Sequence, residues 1–100
     1  MGKAEAVVEN YLRDQAKTHG CLCFKFTPAG INGVPDRILI GYGKTVFVEC
    51  KSDIGALRPQ QKLRIRQMRE AGAEVYVCNT RRLVDELFKT LQKKEENTCT

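Results

Sequence analysis

The chain reads as an α/β domain in the order α-β-β-β-α-β-α, with a mixed central sheet flanked by helices on both faces. Three observations predict this. Two apolar runs, Asp36 to Tyr42 and Lys44 to Lys51, are joined by Gly41-Tyr42-Gly43-Lys44. That is the composition of a tight hairpin turn, and it makes the two runs antiparallel neighbours. A helical pattern over residues 59–71 separates the third strand from the fourth, and a helix there permits the crossover that parallel pairing needs. Helical patterns also open and close the chain, which leaves both faces of a sheet to be covered.

Each element has its own signal. Ala4 to Thr18 is predicted helical because Ala4, Val7, Val8, Tyr11, Leu12 and Ala16 recur at helical spacing. Gly20 is its stop. Glu5 and Glu9 lie one turn apart at the edge of that apolar stripe. They are either solvated charges or groups that reach over the core face toward a metal. Cys21 to Thr27 is a strand, with Leu22, Phe24 and Phe26 on one face and Cys21, Cys23 and Lys25 on the other. Pro28 to Gly33 is a turn-rich loop, and Pro35 holds Val34 extended as the chain enters the next strand. Ser52 to Arg58 is a second loop, with Asp53 and Gly55 as turn residues. Pro59 to Ala71 is a helix with proline at its first position and Gly72 just past its end. Gln61, Ile65 and Met68 share one of its faces, while Lys62, Arg64, Arg66 and Arg69 occupy much of the rest. Glu74 to Asn79 is the fourth strand. Thr80 caps a third helix, Arg81 to about Gln92, whose apolar stripe is Leu83, Val84, Leu87, Phe88 and Leu91. One domain over residues 1–92 accounts for all of this, and residues 93–100, charged and then polar, are expected to fray.

Composition narrows the class of function. One hundred residues make one domain. A net charge of +5 suits an acidic partner such as nucleic acid, although a solvated basic surface gives the same count. No run of eighteen apolar residues is present, so no membrane span is expected. Residues 1–5 lack the apolar core of a secretion signal, and Ala6 stands where a myristoylation start wants Ser or Thr. Five cysteines do not form a disulfide framework, and four of them sit in apolar strand-like runs, so a reducing, cytoplasmic compartment is expected. His19, Cys21 and Cys23 resemble zinc ligands in type, but no second ligand pair follows at metal-site spacing.

The chemistry lies in two segments, Gly33-Val34-Pro35-Asp36-Arg37 and Phe47-Val48-Glu49-Cys50-Lys51. With Tyr42 and Gly43 as the loop residues of the hairpin, Asp36 falls directly opposite Glu49. Strand alternation then puts Asp36, Glu49 and Lys51 on one face. Directly opposed residues have Cβ atoms only about 4.5–5.5 Å apart, where like charges destabilise a sheet. A divalent cation offsets two facing carboxylates. Hard oxygen ligands suit Mg²⁺ or Mn²⁺, and Lys51 can reach a water or a phosphate oxygen beside them. Phosphodiester hydrolysis needs a nucleophile at neutral pH and charge stabilisation on the phosphoryl oxygens. Basic side chains nearby, Lys25, Arg37, Lys62 and Arg64 among them, can hold the polyanion. Arg37 reads equally as a DNA contact or as a salt-bridge partner.

At this point the residues resemble a known family. Gly33-Val34-Pro35-Asp36 followed by Glu49-Cys50-Lys51 looks like the PD-(D/E)xK nuclease signature. With Arg37, Phe47-Val48, Leu57-x-Pro59-x-Gln61 and Gly72-Ala73-Glu74-Val75, the ordered set is similar to the virus-type replication–repair nuclease (VRR-Nuc) family, over about four-fifths of the chain. The resemblance implies a restriction-endonuclease-like αβββαβ core with an added C-terminal helix. It implies Asp36 and Glu49 as metal ligands, the backbone carbonyl of Cys50 as a third, and Lys51 as the group that positions or deprotonates the attacking water. Gln61 would orient Lys51 or a water, and Glu9, with Glu5 as the competing choice, would bind the metal directly, through water or at a second site. Arg58 stands where the family often has a small polar residue. Expected products are a 5′-phosphate and a 3′-hydroxyl. Small stand-alone members occur in phages and bacteria and are homodimers acting on branched DNA such as four-way junctions. Two other readings stay open: a nucleic-acid-binding module without catalysis, and a restriction-like nuclease that reads a short sequence.

Overall fold

The computed structural model describes residues 3–52 and 55–98. Helix α1 (Lys3–Thr18) leads into strands β1 (Leu22–Lys25), β2 (Arg37–Gly41) and β3 (Lys44–Cys50). Helix α2 (Pro59–Glu70), strand β4 (Val75–Cys78) and helix α3 (Arg81–Thr98) follow. The sheet runs β1-β2-β3-β4. Its first two pairings are antiparallel and the third is parallel, so it is mixed, as expected.

The hairpin turn sets the register. Tyr42 and Gly43 both take positive φ, 54° and 74°, the pattern of a type I′ turn. Gly41 consequently faces Lys44, and Arg37 faces Val48. Tyr42 is an unusual residue for this conformation. Its hydroxyl lies 2.6 Å from His19 Nδ1, and the His19 ring stacks on Phe88 at 4.5 Å, which ties the turn to α3. A Cβ at Gly43 would meet no atom within 4 Å. Gly43→Ala is therefore expected to cost only the left-handed backbone strain, about 1–2 kcal/mol. A thermal melt measures it, and an unchanged midpoint would contradict the turn assignment.

One face of the sheet carries the core. Leu39, Val46, Val48, Cys50 and Cys78 are buried with Val8, Leu12 and Ala16 of α1 and with Val84, Leu87, Phe88 and Leu91 of α3. The two helices are tied together where Tyr11 donates to Asp85 Oδ1 at 2.6 Å. Thr80 caps α3 by accepting the Leu83 N–H at 3.1 Å. Alternate residues of β3 turn the other way, and there α2 buries Gln61 and Ile65.

The structure settles one open choice and changes one expectation. The face of β1 that carries Leu22 and Phe24 is left about half exposed, at 53% and 51%, while Cys21 is buried. Both faces of that strand are apolar in sequence, so only the position of α1 decides which turns inward. Second, α3 continues to Thr98, well past the end expected near Gln92. The run Lys93-Lys94-Glu95-Glu96 consists of good helix formers. Asp53, expected as a turn residue, lies outside the described residues, as do Cys99 and the side chain of Ala4. Gly55 does close a turn, its N–H donating to Ser52 O at 3.0 Å.

Cys21, Cys50 and Cys78 are buried and Cys23 half-buried, all as free thiols. Burial pushes the Cys50 thiol far above its ordinary range and that of Cys78 up to about 11, so both behave as small hydrophobes.

Candidate active site

Four elements meet at one end of the sheet. The turn-rich loop docks on α2 through Gly33, whose φ is +83° and where a Cβ would come within 2.7 Å of the Gln60 carbonyl. Pro35 follows and is fully buried. The Asp36 carbonyl then accepts the Phe26 N–H at 2.8 Å, which holds the entry to β2. From β3 come Glu49 and, just beyond its end, Lys51, whose N–H donates to Cys78 O at 3.0 Å. Helix α1 supplies Glu5 and Glu9, and α2 supplies Gln61. Glu9, Glu49, Lys51, Gln61 and Arg37 are all at most 8% exposed.

The contacts are specific. Lys51 Nζ lies 3.7 Å from Glu5 Oε1 and 3.8 Å from Glu49 Oε2. Gln61 Nε2 donates to Glu49 Oε2 at a long 3.4 Å, and its Oε1 accepts the Arg58 N–H at 2.9 Å, half of a capping box. Arg37 Nη2 donates to Glu9 Oε1 at 3.1 Å. Three buried atoms, Glu9 Oε2, Asp36 Oδ1 and Arg37 Nε, have no hydrogen-bond partner. Buried polar atoms are normally satisfied, and an orphan costs about 1–3 kcal/mol.

The electrostatics point the same way. Four carboxylates face two cations, Lys51 and Arg37. Burial pushes the Glu49 carboxyl up to about 7, the Asp36 charge adds to the rise, and Lys51 opposes it. Burial, then the charge and contact of Glu9, hold Asp36 above the usual carboxylate range. Such an excess of acid is unfavourable unless a cation joins it. The donors are oxygens, which fits a hard divalent ion. Among the described residues no three His, Cys, Asp or Glu side chains already converge around one point. Mg²⁺ does not require that, since it is held by one or two carboxylates and keeps several waters.

Comparison with known proteins gives the same direction. No family model matches the chain. It is 31% identical over 80 residues to "Putative nuclease p44" of Acyrthosiphon pisum secondary endosymbiont phage 1, covering 79% of this chain and 86% of that protein. A solved "VRR_NUC domain" superposes with a TM-score of 0.79 at 28% identity, covering 88% of this chain and 97% of that one. The chain belongs to the VRR-Nuc family.

In this VRR-Nuc domain the sequence-selected residues divide into two groups. Asp36, Glu49, Lys51, Gln61 and Glu9 come together. Glu5 joins them as the partner of Lys51, while Glu9 lies against Asp36 and Arg37, so the two glutamates have separate places rather than competing for one. Gln61, expected to orient Lys51 or a water, touches Glu49. Cys50 is buried opposite Cys78. Arg37, which reads equally as a DNA contact or a salt-bridge partner, is buried and paired with Glu9. The signal was available, because Arg37 sits two residues before the core residue Leu39 and so shares its face.

The basic residues of α2 also sort out. Arg69 is bound to the Val75 carbonyl at 2.6 and 3.2 Å. Arg64 reaches the Asn32 carbonyl at 3.2 Å and Gln67 Oε1 at 2.9 Å. Lys62 and Arg66 are exposed on α2, and Lys25 is exposed at the end of β1. Among the described residues, no helix is long and apolar enough to cross a membrane.

Proposed function

We propose that this VRR-Nuc chain is a Mg²⁺- or Mn²⁺-dependent endonuclease. It hydrolyses phosphodiester bonds in branched DNA, four-way junctions included, and leaves a 5′-phosphate and a 3′-hydroxyl. The observation that carries this reading is the meeting of Asp36, Glu49 and Lys51 beside buried carboxylate oxygens that lack partners. Asp36 and Glu49, with Glu9 and the Cys50 carbonyl, would hold the ion. When bound, it supplies Lewis acidity for making a nucleophile at neutral pH.

The chain's own groups do the rest. Glu5 and Glu49 hold the Lys51 ammonium between them, where it orients a water and donates to a phosphoryl oxygen as charge grows there. Gln61 holds the Glu49 carboxylate from the α2 side, while its other atom is fixed by the Arg58 N–H. Arg37 fixes Glu9 by one oxygen, while the second stays buried without a hydrogen-bond partner. Lys25, Lys62 and the part of Arg64 not tied to the loop would contact phosphates. A homodimer suits a twofold-symmetric junction.

Purified protein should nick a synthetic four-way junction with Mg²⁺ or Mn²⁺ and be inert in EDTA. It should cut the junction faster than a plain duplex of the same sequence. Equal cutting in EDTA would remove the metal from the reaction. A strong preference for one duplex sequence would instead make the enzyme restriction-like.

A further inference from the structure

Arg37 is only 7% exposed, as is its partner Glu9, so its guanidinium is closed to a DNA backbone. We infer that Arg37 is a built-in counter-ion whose charge leaves the DNA-free centre balanced by a single divalent cation. This rests on the nuclease reading above. It adds how many ions the centre takes and which residue decides the number.

The contact is poorly built as a structural ion pair. Arg37 Nη2 donates to Glu9 Oε1 at 3.1 Å, one bond rather than the two parallel bonds that an arginine fork can make to a carboxylate. Both partners keep a buried atom without a hydrogen bond, Arg37 Nε and Glu9 Oε2. A buried pair stabilises a fold only when its remaining atoms are satisfied, and these are not. The role of the pair lies with its neighbours. Beyond the effect of burial, Glu9 raises the Asp36 carboxyl and Arg37 opposes it. After burial, Asp36 does the most to raise Glu49, and Lys51 opposes that rise. Lys51 in turn lies 3.7 Å from Glu5 Oε1. The six groups thus form one electrostatic row, with Arg37 at one end and Glu5 at the other.

Four carboxylates against two cations leave an excess of two negative charges, which is the charge of one divalent ion. A second ion would leave two positive charges in the row, and unpaired buried charge is unfavourable in either sign. Without Arg37 the excess would be three, and one ion would not neutralise it. Arg13 on α1 and Arg58 at the cap of α2 are exposed, so water and salt screen them. A scissile phosphate adds its charge only when DNA is bound, so the balance is that of the DNA-free protein.

The test is a Mn²⁺ titration of DNA-free protein at pH 8, in which the electron paramagnetic resonance of unbound Mn²⁺ gives the number of ions and their affinity. The wild type should take up one tight ion per chain. Arg37→Gln keeps a hydrogen-bond donor for Glu9 and loses the charge, so it should bind that ion about tenfold more tightly or better. At an effective dielectric of ~20, a unit charge ~10 Å from a divalent ion changes binding by roughly a hundredfold or more, and screening removes part of that. Loss of a residue that only braced the fold would weaken metal binding, so tighter binding reports the charge itself. Arg37→Lys keeps the charge and should stay within about threefold of wild type. Glu5→Gln, on a partly exposed edge of α1, lowers the excess to one and should weaken binding about threefold or more. Circular dichroism checks each fold. Should Arg37→Gln fail to fold, Glu5→Gln and Arg37→Lys carry the decision.

No tight ion in the wild type, or two, overturns the inference. So does an Arg37→Gln or Glu5→Gln protein with wild-type affinity for Mn²⁺, or an Arg37→Lys protein that binds it as tightly as Arg37→Gln should. Junction cleavage by the same preparations keeps the two readings apart. If Mn²⁺ binds as expected and nothing is cut, the nuclease reading fails and the counter-ion stands. If the wild type cuts but Arg37→Gln binds Mn²⁺ no more tightly, the counter-ion fails and the nuclease stands.

Discussion

Lys51→Ala is expected to slow junction cleavage by 10³-fold or more while leaving most DNA affinity in place, and Asp36→Ala should do the same. Lys51 is 8% exposed and held between Glu5 and Glu49, so no solvent cation can take its place cheaply. Losing one preorganised donor at a developing charge typically costs 10²–10³ in rate. The lost water-orienting role adds to that. Phosphate contacts far from this point supply most of the binding, so affinity should change much less than rate. The variant also leaves Glu5 and Glu49 without their shared cation, and some stability is lost with it. Single-turnover rates on protein shown to be folded by circular dichroism separate the two effects. A Lys51→Ala enzyme that cuts at the wild-type rate would remove this residue from the chemistry.

Glu49→Gln should end cleavage as well, yet make the metal-free protein more stable at pH 8. In the folded chain the Glu49 carboxyl titrates at about 7 rather than 4.5. The folded state therefore binds more protons than the unfolded one between those values, and stability falls as pH rises across that window. Above pH 7 the ionised group costs about 3 kcal/mol relative to its unfolded state. Glutamine keeps the shape and removes that cost. The metal-free melting midpoint at pH 8 should rise by about 8 °C or more, and the fall between pH 5 and 7 should flatten. Some slope will remain, because the raised Asp36 carboxyl has the same sign. Mn²⁺ should raise the midpoint of the wild type and not of Glu49→Gln. A variant that melts below the wild type at pH 8 in EDTA would show that the Glu49 charge is already compensated. The expected opposition between activity and stability is the ordinary cost of assembling like charges for a reaction.

Much of the site was legible because a short turn dictates register. Once Gly41-Tyr42-Gly43-Lys44 is taken as a two-residue loop, every opposed pair follows, and the observed pairs Gly41–Lys44 to Arg37–Val48 are those. The last step, which faces Asp36 with Glu49, needs no further information. What could not be read was decided by contacts distant in sequence. Leu22 and Phe24 alternate with Cys21 and Cys23, and both sets are apolar. The order of helices over the sheet, and not the pattern, chose the inward face. Glu5 and Glu9 share a helical edge, so periodicity could not tell that one would meet Lys51 and the other Arg37. The contact of Gln61 with Glu49 was hidden in the same way, because it depends on how the Gly33 loop seats the start of α2. Arg37 is different. Strand alternation alone placed it on the core side with Leu39, and its resemblance to a surface DNA contact came from charge rather than geometry.

The ladder from the Lys51 N–H to Cys78 O has a consequence for biosynthesis. Every acidic group of the centre, along with the lysine, lies within the first 51 residues, but Cys78, whose carbonyl braces Lys51, emerges from the ribosome only 27 residues later. A nascent chain thus carries its acidic groups and Lys51 before it can align them. The last strand to arrive fixes the backbone at Lys51, so the centre is aligned only once β4 is in place.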